Sequence, residues 1–183
     1  PAASEFGAIL TLDLKEVKIV PYKYIFHIID RFTRYTVSIF LKDKKAEIII
    51  NVMMSSYAAT FGRPGKCWSD VGGEFNNNPV HQVGEAISCK MQTGAGYSAW
   101  MNGLKERNHA VVDRCFTKIL HDDPKIDCKV VLALALTAKN SYLAHGGFSS
   151  FQLVLGKQPK LLNVIEDKLP ALEGVTTSKS LVT

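Results

Sequence analysis

The chain has 183 residues, 46% of them hydrophobic and 21% charged, with a net charge of +5. That is enough for one domain with a sizeable core. No apolar run approaches the roughly 20 residues of a membrane-spanning helix, and no basic stretch leading into an apolar one marks a signal peptide. The positive balance points to an anionic partner, nucleic acid first.

The first residue is Pro1, not Met, so the chain reads as a piece of something longer. Residues 1–8 form a lead-in. Residues 9–14 alternate: Ile9, Thr11 and Asp13 point one way, Leu10, Leu12 and Leu14 the other, which predicts a strand with Asp13 at its end. Residues 24–30 and 36–41 are rich in β-branched and aromatic side chains, and the polar stretch 31–35 between them reads as a hairpin turn. An antiparallel meander of three strands is therefore predicted. Ala46, Ile49, Ile50, Met53 and Tyr57 recur at helical spacing, and Gly62, Pro64 and Gly65 end that helix.

Residues 66–69 predict a short strand running into Asp70. A loop rich in glycine and asparagine (71–78), a short helix (79–84) and another strand (86–92) follow. Residues 93–99 read as a mobile loop. A long helix is predicted over 100–120. Leu104, Val111, Cys115 and Ile119 form its apolar stripe, and Asn102, Glu106, His109 and Asp113 lie on another face. Residues 129–143 predict a buried apolar helix and 148–155 a short one after Gly146 and Gly147. The chain turns polar from Lys157, and 161–183 reads as a linker toward a missing C-terminal domain. This order predicts an α/β fold: a mixed sheet with helices on both faces.

Cys67, Cys89, Cys115 and Cys128 form no C-x-x-C pair and have no histidine at zinc-finger spacing, so free thiols are expected. His27 and His81 need no ligand role, Asp30 reads as a turn residue, and Trp68 and Trp100 read as packing residues.

Asp13, Asp70 and Glu106 fall at the ends of predicted elements, where ligands gather in open α/β sheets. Carboxylates brought together repel unless a cation lies between them. Oxygen donors without His or Cys select Mg²⁺ or Mn²⁺. Two such ions roughly 4 Å apart can clamp the attacking and leaving oxygens of an in-line phosphoryl displacement. Spacing alone is weak support among 17 acidic residues; the local contexts are stronger.

Asp70 stands in Trp68-Ser69-Asp70-Val71-Gly72-Gly73-Glu74-Phe75, and Glu106 in Asn102-Gly103-Leu104-Lys105-Glu106-Arg107, with 35 residues between the two carboxylates. Here the sequence resembles the integrases of retroviruses and long-terminal-repeat retrotransposons and their relatives in large DNA transposons, whose signature is "(S/T)D-x-G-x-x-F" followed by "N-G-x-x-E-R". Residues 28–35 look like that family's second-strand hairpin, and 147–156 resemble a downstream motif of its Ty3/Gypsy-like branch. Val71 departs from a frequent Asn, and Gly96 and Ala99 stand where prolines are common.

The resemblance implies an RNase H-like catalytic core over residues 1–160, with a five-stranded mixed sheet flanked by helices. It implies Asp13, Asp70 and Glu106 as catalytic ligands of two Mg²⁺ or Mn²⁺ ions. Asn102, Lys105 and His109 would face DNA. The implied activity is trimming of element DNA ends and their joining to double-stranded target DNA, by a homodimer or larger assembly acting in the nucleus, away from membranes. The alternative is a host-captured or decayed integrase that binds DNA or protein without catalysis.

Overall fold

A computed structural model describes residues 3–69, 89–93 and 98–159, with the backbone alone for residues 93, 98–102, 104 and 143–145. Five strands form one sheet in the order β3-β2-β1-β4-β5. They are β1 (Ile9–Ile19), β2 (Tyr22–Asp30), β3 (Thr36–Leu41), β4 (Lys66–Ser69) and β5 (Lys90–Thr93). The first three make the antiparallel meander; β4 runs parallel to β1, and β5 parallel to β4. Parallel neighbours need a crossover. Between β3 and β4 it is supplied by α1 (Ala46–Met53), a π-helical continuation (Met54–Ala58) and α2 (Ala59–Phe61). Beyond β5 come α3 (Ser98–Asp122), α4 (Cys128–Ser141), the small hairpin β6 (Leu143–His145) and β7 (Phe148–Ser149), and α5 (Ser150–Leu155).

Strand alternation sorts the side chains into two cores. Leu10, Leu12, Phe26, Ile28 and Leu41 pack on one face against Ile49, Met53 and Tyr57, with Cys67 and Cys89 in the same cluster. On the other face Ile25 and Phe40 meet Val112 of α3 and Leu132 and Ala135 of α4. Each large apolar side chain withdrawn from water contributes about 1.5–3 kcal/mol, so both helical layers are fastened to the sheet. The thiols of Cys67 and Cys89 are free and buried, with Cys89 Sγ donating to Cys67 Sγ at 3.4 Å.

The structure corrects several expectations. β1 does not end at Asp13 but continues to Ile19, because its pairing with β2 runs on from Asp13–His27 through Glu16–Tyr24 to Ile19–Tyr22. What does end there is the pairing with β4, whose last partners are Leu12 and Ser69. The long helix begins at Ser98, two residues early, and its buried valine is Val112, with Val111 only half-buried. Asn108, Val112, Cys115 and Ile119 share the inward stripe: Cys115 and Ile119 lie in it as predicted, Val112 takes the place expected of Val111, and the side chain of Leu104 lies outside the described residues. α4 is amphipathic rather than buried all round: Val131, Leu132 and Ala135 face inward while Val130 is 48% exposed. The predicted loop 71–78, helix 79–84, residues 86–88 of the predicted strand and the tail 161–183 lie outside the described residues.

Candidate active site

The hairpin register places His27 directly across from Asp13, and Ser38 of β3 across from His27. Asp13 and Lys15, two apart, share the sheet face on which α3 lies. Residues 105, 109 and 113, four apart, share the helix face above them. The two periods mesh. Lys105 Nζ lies 3.5 Å from Asp13 Oδ1, and His109 Nε2 lies 3.1 Å from Asp13 Oδ2, at ion-pair distance but without hydrogen-bond alignment. One step along, Lys15 pairs with Asp113.

Three hydrogen bonds to Thr36, at the edge of the sheet, set the rotation of the helices. Thr36 Oγ1 donates to Asn108 Oδ1 at 2.8 Å, pinning α3 to β3. Asn140 of α4 brackets the start of the same strand: its Oδ1 accepts from Thr36 N at 3.0 Å, and its Nδ2 donates to Thr36 O at 2.9 Å. With Asn108 fixed inward, its helix neighbours Lys105 and His109 are delivered to Asp13.

The electrostatics follow from this packing. Burial would raise the Asp13 pKa, but the His109 contact and the nearby charges of His109 and Lys105 outweigh it and hold the carboxyl below its ordinary value. His27 is 1% exposed, with Nδ1 2.7 Å from Ser38 Oγ and its ring 4.4 Å from that of His109. Burial, then the charge of His109, pushes the His27 pKa down to about 3, so this imidazole is neutral.

The predicted site residues therefore have different placements. Asp13 sits in the seam between β1 and α3, with 16% of its side chain exposed. Glu106 is on the same helix, exposed to solvent beside Lys105. Asp70 and the side chain of Asn102 lie outside the described residues, although Asp70 directly follows Ser69, the partner of Leu12. Lys105 does not face outward as expected for a DNA contact: it is 6% exposed, with its ammonium on Asp13. Among the described residues no three His, Cys, Asp or Glu side chains gather as a metal cage. Asp13 nonetheless fits one part of such a centre, since a partly exposed carboxylate is the oxygen donor that Mg²⁺ or Mn²⁺ takes, although Lys105 and His109 already stand on it. Sequence reasoning missed His27, Asn108 and the pair Lys15–Asp113. The turn over 31–35 sets 27 opposite 38, whereas the pairing of 13 with 27 is fixed by the β1–β2 turn at residues 20–21, which the alternation of residues 9–14 does not reach.

A mixed five-stranded sheet of this order, with helices on both faces, is the RNase H-like fold of integrase catalytic cores. Solved structures match it closely. The catalytic core of HTLV-2 integrase, in complex with magnesium, superposes with a TM-score of 0.72 at 19% identity, covering 82% of this chain and 98% of that one. The catalytic core of BIV integrase gives 0.69 at 16% identity, covering 82% and 95%. A simian T-cell lymphotropic virus intasome, in complex with PP2A regulatory subunit B56 gamma, gives 0.76 at 19% identity over 92% of this chain and 63% of that one.

In sequence the chain is similar to the Pol polyprotein of Radiation murine leukemia virus (strain Kaplan), 25% identical over 173 residues, and to the Gag-Pol polyprotein of Avian reticuloendotheliosis virus, 24% identical over 161 residues. These matches span 93% and 87% of this chain but only 29% and 14% of the viral polyproteins. No family model matches the chain. The chain thus shares its fold with retroviral integrase cores and is similar in sequence to retroviral Pol polyproteins. No helix among the described residues is long and apolar enough to cross a membrane.

Proposed function

We propose that the chain is the catalytic core of a DNA-integrating polynucleotidyl transferase. The observation that carries this reading is one of register. β4 ends at Ser69 opposite Leu12, so Asp13 and Asp70 each follow directly on a paired residue of adjacent parallel strands, while Lys105 and His109 dock the Glu106 helix on Asp13. Asp13, Asp70 and Glu106 would hold two Mg²⁺ or Mn²⁺ ions. The chemistry those ions supply when bound is activation of an oxygen nucleophile and neutralisation of charge on the leaving oxygen.

The chain's own residues do the rest. β1 holds Asp13 in place through its pairing with β2, His27 and then Ser38 lie beside it across the sheet, and α3 carries Glu106 on a solvent-facing position that a DNA backbone can approach. Water, and then the 3′-hydroxyl of the trimmed element end, act as successive nucleophiles. Asn102 and His109 of α3 are proposed to contact the DNA. The HTLV-2 core was solved in dimeric and trimeric forms, which supports a homodimer or larger assembly holding two DNA ends. A chromosomal target places the activity in the nucleus. Residues 161–183 are proposed to lead to a further domain.

The test is disintegration of a branched DNA substrate with Mn²⁺, comparing the chain with Glu106→Gln. The expected result is metal-dependent strand joining in the first and a loss of at least about 10³-fold in the second, since a missing ligand oxygen removes charge stabilisation worth several kcal/mol. Equal joining by both proteins would remove Glu106 from the mechanism. No joining by a folded, metal-binding protein would favour a captured integrase that no longer catalyses.

A further inference from the structure

We propose that Lys105 is an internal counter-ion that competes with divalent metal for Asp13 and so sets how readily this site takes up metal. The inference rests on the reading of Asp13 as a metal ligand and adds a residue that works against that ligand. Lys105 immediately precedes Glu106, and the helix turns consecutive residues about 100° apart. Glu106 therefore faces solvent while Lys105 faces the sheet, 6% exposed. A lysine withdrawn this far from water needs a charge partner. Asp13 supplies one at 3.5 Å, with the lysine side chain 8% and the aspartate side chain 16% exposed.

Both oxygens of Asp13 are thus engaged by basic side chains, Oδ1 by Lys105 and Oδ2 by His109. An ion binding Asp13 meets a unit positive charge within a few ångströms in a half-buried setting, where water screens it weakly. For the ion to bind, the ammonium must move aside, and the cost of moving it weakens uptake. The four-carbon stem of Lys105 lets it withdraw, so the block is graded rather than absolute.

The experiment follows Mn²⁺ binding without DNA, by the electron paramagnetic resonance signal of the free ion, in the unaltered chain and in Lys105→Met, Lys105→Arg and Asp13→Asn. Lys105→Met keeps the apolar stem and removes the charge; it is expected to bind Mn²⁺ at least roughly tenfold more tightly. Lys105→Arg keeps the charge and should bind like the unaltered chain. Asp13→Asn should bind much more weakly than either. If Asp13→Asn weakens binding while a folded Lys105→Met binds no more tightly than the unaltered chain, the counter-ion role is overturned and the metal-site reading stands. If Asp13→Asn binds Mn²⁺ as the unaltered chain does, both fall together. A measurement on the unaltered chain decides the matter should Lys105→Met fail to fold. Displacement predicts that Mg²⁺ speeds acylation of the Lys105 amine by an amine-reactive ester, read by mass spectrometry, and an unchanged rate at saturating Mg²⁺ overturns the proposal.

Discussion

Asp30 at the end of β2 and Asp13 within β1 are carboxylates of one hairpin, both withdrawn from solvent, and they are held by different kinds of partner. Asp30 is 0% exposed and accepts from the backbone N–H of Gly7 at 2.9 Å, the backbone N–H of Thr33 at 2.7 Å and the hydroxyl of Thr33 at 2.7 Å. Its own backbone closes the β2–β3 turn, donating to Tyr35 O and accepting from Arg34 N, with Arg34 in the left-handed region at φ 63°. Such donors are part of the chain path and cannot swing away. Asp13 is met by the tips of two long side chains, Lys105 and His109, which can. A carboxylate saturated by backbone donors is a staple; one balanced by movable basic groups can exchange them for a ligand.

The largest expected effect separates the two. Asp30→Ala leaves three donors without their acceptor, and hydrogen bonds to a charged group contribute about 1.5–3 kcal/mol each without adding fully. We expect a loss of roughly 3–5 kcal/mol in urea unfolding, with the lead-in at Gly7 and the 31–34 turn released together. Asp13→Asn is expected to cost less, about 1–2 kcal/mol, while abolishing strand joining, because the buried Lys105 loses its charge partner but its long stem can carry the ammonium toward water. Comparable losses of stability in the two variants would break the distinction.

The next effect contrasts two lysines. Lys139 is buried like Lys105, but its direct partners are neutral oxygens: it donates to Arg34 O, to Thr36 Oγ1 at 2.7 Å and to Asn140 Oδ1 at 3.2 Å. Burial first, and the positive charge of Arg34 second, push its pKa down to about 7. Between pH 7 and the ordinary lysine value near 10.5, the unfolded chain binds a proton that the folded chain does not. Stability contributed by this group therefore rises with pH across that window and is flat below it. Urea midpoints for the unaltered chain and Lys139→Met at pH 7, 8, 9 and 10 check this. The difference between the two proteins should shift in favour of the unaltered chain as pH rises, and a constant difference would show that Lys139 does not titrate there.

The same contrast explains what could be read from the sequence. Local signals decided the meander: the bounds of β3 and β4 and the 31–35 turn follow from β-branched runs and a polar break. The glycines and proline after Phe61 decide the end of the first crossover. The turn role of Asp30 was legible because the residues it caps are its sequence neighbours. Asp13 as a carboxylate of interest was legible from strand alternation, and the metal role proposed for it comes from family resemblance alone.

The phase of α3 was not legible. Val111 and Val112 are equivalent to a reader of hydropathy. The choice between them is made by Asn108 reaching Thr36 across 72 residues of chain, a polar contact that no apolar stripe encodes. With that choice goes the direction of Lys105, which reads as a surface lysine until the helix is rotated by one position. The length of β1 was hidden for a related reason, since Lys15, Glu16 and Lys18 interrupt the apolar pattern and residues 15–19 are held in the sheet only by β2.

The smallest expected effect lies one step along the seam from Asp13. Lys15 and Asp113 repeat the contact between β1 and α3 with the charges exchanged, the cation now on the strand and the anion on the helix. Their side chains remain 31% and 47% exposed, so water and salt screen the pair, and no carboxylate here is forced to seek a metal. A double-mutant cycle with Lys15→Ala and Asp113→Ala should return a coupling of only about 0.5 kcal/mol at low salt, falling toward zero at 1 M salt. The Mn²⁺ affinity of the site should be unchanged in either variant. If removing this pair shifted metal affinity as strongly as removing the Lys105 charge, the effect of Lys105 would reflect the general field of the seam. A shift confined to Lys105 requires that direct contact with Asp13, rather than net charge along α3, governs access to the carboxylate.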